Sequence, residues 1–427
     1  MKKILFLKLK ILAKLILKKY RPLVIAITGS VGKTSAKEAI YTVLKSSGRV
    51  RRSRGNYNNE IGVPLTIIGS LSGGRSLIGW LAVFLRAFSL LVRHDKEYPE
   101  ILILEMGAEK IGDLEYLTGF VPVDIGVITG IGGVHLEFFG SLENVAKEKF
   151  SLLRHFQDEG KVAVINFDDQ RLKAGRPAIK GKIITYGFGE GADLRAADFK
   201  VVKKQDSFGG LFKFHYQENT IPVFLADVLS RQQVYAALVG LAAAAALNRN
   251  LLEAVDDLTG NYHPPKGRTN LIKGIKNTLL IDDSYNASPP STLAALDTLA
   301  DFPLPAARKL AVLGEMLELG GYTEAGHREV GRKAAEIGVD ILVAVGEKAR
   351  DIIRGAVAAG LPEAQTFYFD NNHDAGIFVQ NKLQEGDLIL IKGSQGARLE
   401  QIVKELMAEP LKAKDLLVRQ SAEWLKK

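Results

Sequence analysis

The segment Thr28-Gly29-Ser30-Val31-Gly32-Lys33-Thr34-Ser35 has the residue types and spacing to hold a phosphate chain. It follows an unbroken apolar run, Leu23 to Thr28, and opens a helical pattern, which is the context such a loop requires. The glycines let backbone N–H groups approach phosphate oxygens. Lys33 offers a point charge to β and γ phosphates, the Thr34 hydroxyl can ligate magnesium, and the start of a helix favours an anion. Only two residues separate Gly29 from Gly32, and Ile27 stands where the commoner form of the loop has its first glycine. A plain glycine turn ahead of a helix is the alternative.

Further residues could complete a site. Glu105 ends a second apolar run, Ile101 to Glu105, and an acid at the carboxyl end of a parallel strand points into a ligand crevice. There it could hold magnesium directly or through water, or be an ordinary strand-end acid. His135 lies in GIGGVHLEFFG just beyond another strand end, and a lone histidine reads first as structural. Lys147 and Lys149 sit in a helical stretch, ENVAKEKF, where each reads first as a solvated lysine. Later in the chain, Arg268 follows HPPKG, and Asp282 and Asp283 end the run before SYNASP. Read blandly, this is a strand running into a helix with proline in its first turn. Read functionally, Arg268 and Asp283 reach across an interdomain cleft to a nucleotide.

These positions need strands and helices to hold them. Apolar runs at Leu23–Thr28, Ile101–Glu105, Asp124–Thr129 and Lys161–Asn166, with helical stretches between them, predict a doubly wound α/β sheet that is mostly parallel. Short β segments over 182–225 and an alanine-rich helix from about Arg231 to Leu247 follow. The prolines and glycine of His263 to Gly267 mark a domain boundary. Beyond it the alternation restarts through NTLLID, KLAVLG, DILVAVG, TFYF and DLILIKG, which predicts a second, Rossmann-like α/β domain. The organisation expected is residues 1–22 as a basic helix, 23–264 as a central nucleotide-binding domain and 265–427 as a C-terminal domain.

The chain has 427 residues and no cysteine, which excludes disulfides, thiol nucleophiles and thiolate metal sites. Its seven histidines show no zinc spacing, so an oxygen-ligated ion such as magnesium is the better candidate. Eight of the nine net positive charges lie in residues 1–22, which contain no acid. The basicity therefore belongs to one segment. With no aromatics between its lysines except Phe6 and Tyr20, that segment resembles no nucleic-acid reader. Lys3, Lys10, Lys14 and Lys18 fall on one face of a helix over residues 1–20, and Leu5, Leu9, Leu12 and Ile16 on the other. Such a helix either docks on its own domain or lies in an anionic membrane interface. A second segment, Ser76 to Val92, is apolar almost all round apart from Arg86. It reads first as a buried core helix, the alternative being a greasy surface beside the N-terminal helix.

Taken together, the motifs resemble the Mur ligase family, in which the short loop GxxGKT[ST] is typical. NYNNEIGVPLT, LEMGAEKIGDLEYL, HLEFFGSLENVAKEK, IDDSYNASPPS, VLGEMLELG and ILIKGSQGARLEQIV look like the branch that adds D-alanyl-D-alanine to a muramoyl-tripeptide in peptidoglycan synthesis. The resemblance runs from about Leu23 to Leu406. It implies ATP-dependent formation of an amide bond through an acyl phosphate, with ATP and magnesium. Gly29 to Ser35, with Lys33 and Thr34 foremost, would bind ATP phosphates. Thr34, Glu105, His135 and Lys149 would serve magnesium, Lys149 as the lysine that the family carbamylates. Gln233, Arg268 and Asp283 would contact ATP. Asn58, Asn59, Glu60 and Asn286 would face the other substrates. A cytoplasmic monomer is implied, with a peripheral contact at the inner face of the membrane through residues 1–20.

Three departures qualify the resemblance. About 22 basic residues stand where the family carries a uridine-nucleotide-binding domain, which opens the alternative of a lipid-linked or otherwise altered acceptor. The family's adenine-side HN segment reads SRQQVY here, with Gln232 and Gln233 able to offer amide hydrogen bonds instead. The apolar segment Ser76 to Val92 lengthens a normally short connection. Two further readings stay open: a related ligase that takes a different amino acid, and a membrane-associated ATP-binding scaffold that does not ligate.

Overall fold

The structure is a computed structural model. It describes the chain except residues 1, 134–135, 157–159, 206, 305–306 and 426–427, and except the side chains of residues 2, 3, 136, 423 and 425. The chain forms two compact units. One comprises Met1–Phe199, Phe212–Val223 and Gln233–Tyr262, the other Lys200–Leu211, Phe224–Gln232 and His263–Lys427.

Nine strands form the first sheet among the described residues: β1 (Leu23–Thr28), β2 (Val50–Arg52), β3 (Ile101–Glu105), β4 (Ile125–Ile128), β5 (Val162–Asn166), β6 (Lys182–Gly187), β7 (Leu194–Lys204), β8 (Ser207–Tyr216) and β9 (Asn219–Ala226). Their order is β2-β3-β1-β4-β5-β6-β7-β8-β9. β1 is central and parallel to both β3 and β4, with Ile27 opposite Glu105 and Thr28 opposite Ile128. Parallel pairing continues from β4 through β7. The runs at β1, β3 and β4 are almost wholly buried, as strands covered on both faces must be. β7 and β8 are 11 and 10 residues long, longer than the short segments read from the sequence.

Four helices follow one another around β1 to β3: α1 (Lys2–Tyr20), α2 (Lys33–Leu44), α3 (Gly62–Ile68) and α4 (Leu77–Val92). α1 packs on α3 and α4. Its Leu9, Ala13, Ile16 and Leu17 share one core with Val24, Ala26, Leu102 and Leu104 of the sheet. The segment at Ser76 to Val92 corrects its first reading as a buried core helix. Only Val83, Ala87 and Leu90 of α4 are buried, because the protein covers a single stripe at helical spacing. Arg86 reaches Asp95 at 2.7 Å on the solvent side.

The second sheet holds β10 (Asn270–Lys273), β11 (Leu279–Asp283), β12 (Lys309–Gly314), β13 (Ile341–Val345), β14 (Thr366–Phe369) and β15 (Leu388–Lys392), in the order β10-β11-β15-β12-β13-β14. β10 is an antiparallel edge on β11, and the remaining pairs are parallel. Helices such as Pro289–Ala300 and Thr323–Glu336 alternate with these strands. The reading of this region as a second, Rossmann-like α/β domain with a mostly parallel sheet therefore holds.

Candidate active site

The loop after β1 is held in one shape by its neighbours. Ser30 N–H donates to the Gly130 carbonyl at 2.8 Å. The Ser30 hydroxyl donates to the Gly132 carbonyl at 3.0 Å and accepts from the Gly132 N–H at 2.9 Å. Gly29 has φ +144° and Gly32 φ +82°, both in the region that glycine enters without cost. A Cβ on Gly29 would lie 2.0 Å from Thr129 Oγ1, so the loop needs glycine there for space as well as for conformation. α2 begins at Lys33 directly after Gly32, so the start of the helix opens at the loop. Lys33 bends back so that Nζ donates to the Gly29 carbonyl at 2.6 Å.

Glu105, at the end of β3, gathers three groups. The Thr34 hydroxyl donates to its carboxylate at 3.2–3.3 Å. Lys37 Nζ lies 3.2 Å from Oε2, and Asn58 Nδ2 donates to Oε1 at 3.3 Å. The structure thus brings Thr34 and Glu105 together, and adds to them Asn58, which the resemblance placed on the substrate side, and Lys37. Lys37 was missed because a lysine one turn into a helix reads as solvated. Its signal was position: four residues after Lys33 it shares that residue's face of α2. Asn59 and Glu60 do not join this group of contacts. Asn59 Oδ1 accepts from the Ile61 and Gly62 N–H groups at the entry to α3. Glu60 is half-buried near Tyr116, whose phenol pKa is raised by burial first and by the Glu60 charge second.

Lys149 lies in the helix Leu142–Phe150 and is buried, which corrects its bland reading as a solvated lysine; Lys147 is exposed. Burial, with the nearby charge of Lys33 as the second cause, brings the Lys149 pKa down to about 7. Its Nζ donates weakly to the Ala108 carbonyl at 3.4 Å. Such an amine is available in its neutral, nucleophilic form near neutral pH. The adjacent Glu148 is occupied elsewhere, accepting from the Gly112 and Leu114 N–H groups at 2.8 and 2.7 Å. His135 falls outside the described residues.

The residues fit ATP and magnesium. The glycine loop, the helix start and Lys33 suit a polyphosphate. Thr34 and Glu105 place a hydroxyl and a carboxylate within hydrogen-bonding distance of each other, two hard oxygen donors of the kind magnesium takes. Among the described residues no group of three or more His, Cys, Asp or Glu could hold a metal. Water and phosphate oxygens would therefore supply other positions, as is usual for magnesium.

Gln233 is buried in the helix Arg231–Ala246. Two carboxylate hydrogen-bond groups in the same unit were not read from the sequence. Asp168 accepts from the Tyr235 hydroxyl at 2.7 Å and from the Phe188 and Gly189 N–H groups at 2.6 and 2.8 Å. Asp169 Oδ2 accepts from the Ile131 N–H at 2.6 Å, fixing the loop beyond β4.

In the second unit, Asp283 ends β11. Its Oδ1 accepts from the Thr269 N–H at 3.2 Å and its Oδ2 pairs with buried Lys392 at 2.7 Å. Lys392 also donates to the Asn286 carbonyl at 2.9 Å, and Asn286 Oδ1 accepts from the Gln395 N–H at 3.3 Å. Asp283 and Asn286 are thus joined through Lys392, a residue that sequence reading passed over at the end of an apolar strand. The Arg268 guanidinium stacks 4.2 Å over the Tyr285 ring.

A Mur ligase middle-domain model matches residues 27–73 and 87–244, and a Mur ligase glutamate ligase domain model matches 267–395. The chain belongs to the Mur ligase family and is an ATP-dependent, ADP-forming ligase. A UDP-N-acetylmuramoyl-tripeptide--D-alanyl-D-alanine ligase of Bacillus subtilis is 32% identical over 94% of this chain and 79% of that protein. An enzyme of the same name from Synechocystis is 33% identical over 90% of this chain and 75% of that protein. The solved structure of MurF ligase from Thermotoga maritima in complex with ADP matches with a TM-score of 0.76 at 26% identity, covering 96% of this chain and 84% of that one.

Proposed function

We propose that this chain joins D-alanyl-D-alanine to the terminal carboxylate of a UDP-linked muramoyl-tripeptide in peptidoglycan synthesis, as a cytoplasmic monomer. The acceptor carboxylate takes the γ-phosphoryl group of ATP, giving an acyl phosphate and ADP. The dipeptide amine then attacks the acyl carbon, and phosphate leaves from the tetrahedral intermediate. The observation that carries this reading is the glycine loop closed by Lys33, with Thr34 hydrogen-bonded to the strand-end acid Glu105 and Lys149 buried in the same unit.

In this reading residues 1–22, 23–264 and 265–427 are the working parts of the chain. Gly29 to Ser35 cradle the phosphates, and Lys33 offsets the charge spread over the transferring phosphoryl oxygens. Thr34, Glu105, His135 and Lys149 hold magnesium, which supplies electrostatic stabilisation of that charge. The neutral Lys149 amine adds to carbon dioxide and releases a proton, turning a cation into an oxygen donor. Gln233, Arg268 and Asp283 contact the nucleotide. Asn58 orients Glu105, while Asn59, Glu60 and Asn286 serve the acceptor and dipeptide side.

The test is phosphate release with UDP-muramoyl-tripeptide, with D-alanyl-D-alanine or glutamate as the amine. Turnover with the dipeptide, absent in Lys33→Ala, supports the proposal. Turnover with glutamate instead would reassign the substrate. Nucleotide binding without acceptor-dependent ADP release would leave a scaffold.

A further inference from the structure

Two neighbouring helices of the first unit present apolar side chains to solvent. On α1, Ile4, Leu7, Ile11 and Leu15 recur every three to four residues and are between 46% and 62% exposed. On α4, Ile78, Leu81, Leu85, Phe88 and Val92 recur at the same period and are between 56% and 81% exposed. The opposite sides of both helices are already used, since Leu9, Ala13, Ile16 and Leu17 of α1 and Val83, Ala87 and Leu90 of α4 lie in the core. The two are also fastened together. Lys19 Nζ donates to the carbonyls of Leu90, Leu91 and Arg93 at 2.7–2.9 Å, and the Tyr20 hydroxyl bonds the Leu90 carbonyl at 3.0 Å. Soluble proteins expose large apolar residues singly, whereas runs of this kind mark an interaction surface.

Charge identifies the occupant. By helical spacing, the exposed lysines Lys8 and Lys14 border the α1 stripe on either side, and Lys18 lies among its residues. Residues 1–22 contain no acid, nor does α4, whose ends are flanked by exposed Arg75 and Arg93. A stripe of this composition suits an anionic leaflet: the apolar residues sink below the headgroups while lysine stems lie along them and carry their charges up to the phosphates. No helix among the described residues is long and apolar enough to cross a membrane, so the geometry is that of helices lying in the interface plane. All of α1, and α4 as far as Arg86, fall outside the residues matched by the family models.

We propose that α1 and α4 form a docking surface for a bilayer leaflet rich in anionic lipid. The test is flotation of the full chain with vesicles of phosphatidylcholine alone and of phosphatidylcholine mixed with phosphatidylglycerol. Two sets of substitutions are compared, Lys8→Glu, Lys14→Glu and Lys18→Glu together, and Leu81→Gln, Leu85→Gln and Phe88→Gln together. All six side chains face solvent, and circular dichroism with a urea midpoint confirms that each variant is folded. The expected result is binding to the mixed vesicles and not to phosphatidylcholine. Charge reversal should weaken it by roughly 100-fold, and the glutamine set should weaken it by about tenfold or more. No binding to mixed vesicles, or binding that either set leaves intact, overturns the proposal. A dimer in light scattering that either set dissociates also overturns it, and makes a second copy of the chain the occupant.

Discussion

Lys37 Nζ lies 3.2 Å from Glu105 Oε2, and both side chains are closed off from water. Lys37 is one turn along α2 from Lys33, so the helix that opens the phosphate loop also ties down the acid at the end of the next strand. Thr34 and Asn58 complete the bonds to the same carboxylate. Three side chains, two from α2 and one from the loop before α3, thereby share one carboxylate, and its position decides whether a hydroxyl and a carboxylate can meet a single cation.

Removing one member of a buried pair strands the other. Lys37→Met is expected to lower stability by about 3–5 kcal/mol in urea titration. The double variant with Glu105→Gln should lose less than the sum of the single losses. Additive losses would show that the two residues do not act as a pair.

Gly29→Ala meets both a positive φ and Thr129 Oγ1 at 2.0 Å. The strain is about 1–3 kcal/mol, and relieving it moves the loop, so ADP affinity by calorimetry should fall roughly tenfold or more. Gly260→Ala, in the helix Leu251–Asn261 with open space around it, should instead gain about 0.5–1 kcal/mol and leave ADP affinity alone. Equal effects at the two positions would contradict this reading of the loop.

Much of this was legible beforehand, because strands buried on both faces leave unbroken apolar runs. β1, β3, β12 and β14 begin and end where those runs do. The phosphate loop and Glu105 were readable because each sits at a strand end beside glycine or a helix start. Lys37, Lys392 and Asp168 were not, since their roles depend on partners many residues away in the chain and their own surroundings look ordinary. α4 misled for a different reason. Apolar content shows what a helix could bury, whereas the neighbours that fold supplies determine what it does bury.

Asp282 offers a pH test. Its carboxyl is fully buried, and burial raises its pKa from 3.8 to about 6. Between those values the folded protein keeps a proton that the unfolded chain has released. This contribution to stability is therefore greatest below the lower value, falls as pH rises through the window, and is flat above it. Asp282→Asn removes the slope, and at pH above the window should be the more stable by about 3 kcal/mol. Urea midpoints of the two proteins across the window check this, and parallel curves would contradict it.

Lys149→Ala should lose about 100-fold or more in turnover, with partial rescue by a short carboxylate such as acetate. Labelled bicarbonate should give the parent protein a carbamate carbon resonance that the variant lacks. Full activity in Lys149→Ala, or no such resonance in the parent, would remove the carbamate from the account.

The most direct measurement is ADP release by the full chain with UDP-muramoyl-tripeptide, D-alanyl-D-alanine, ATP and magnesium, each omitted in turn, beside Lys33→Ala. The expected result is one ADP for each dipeptide joined, with no release when any component is missing and none from the variant. ADP release that ignores the acceptor, or a Lys33→Ala protein as active as the parent, would contradict the claim that this loop activates a carboxylate for amide formation.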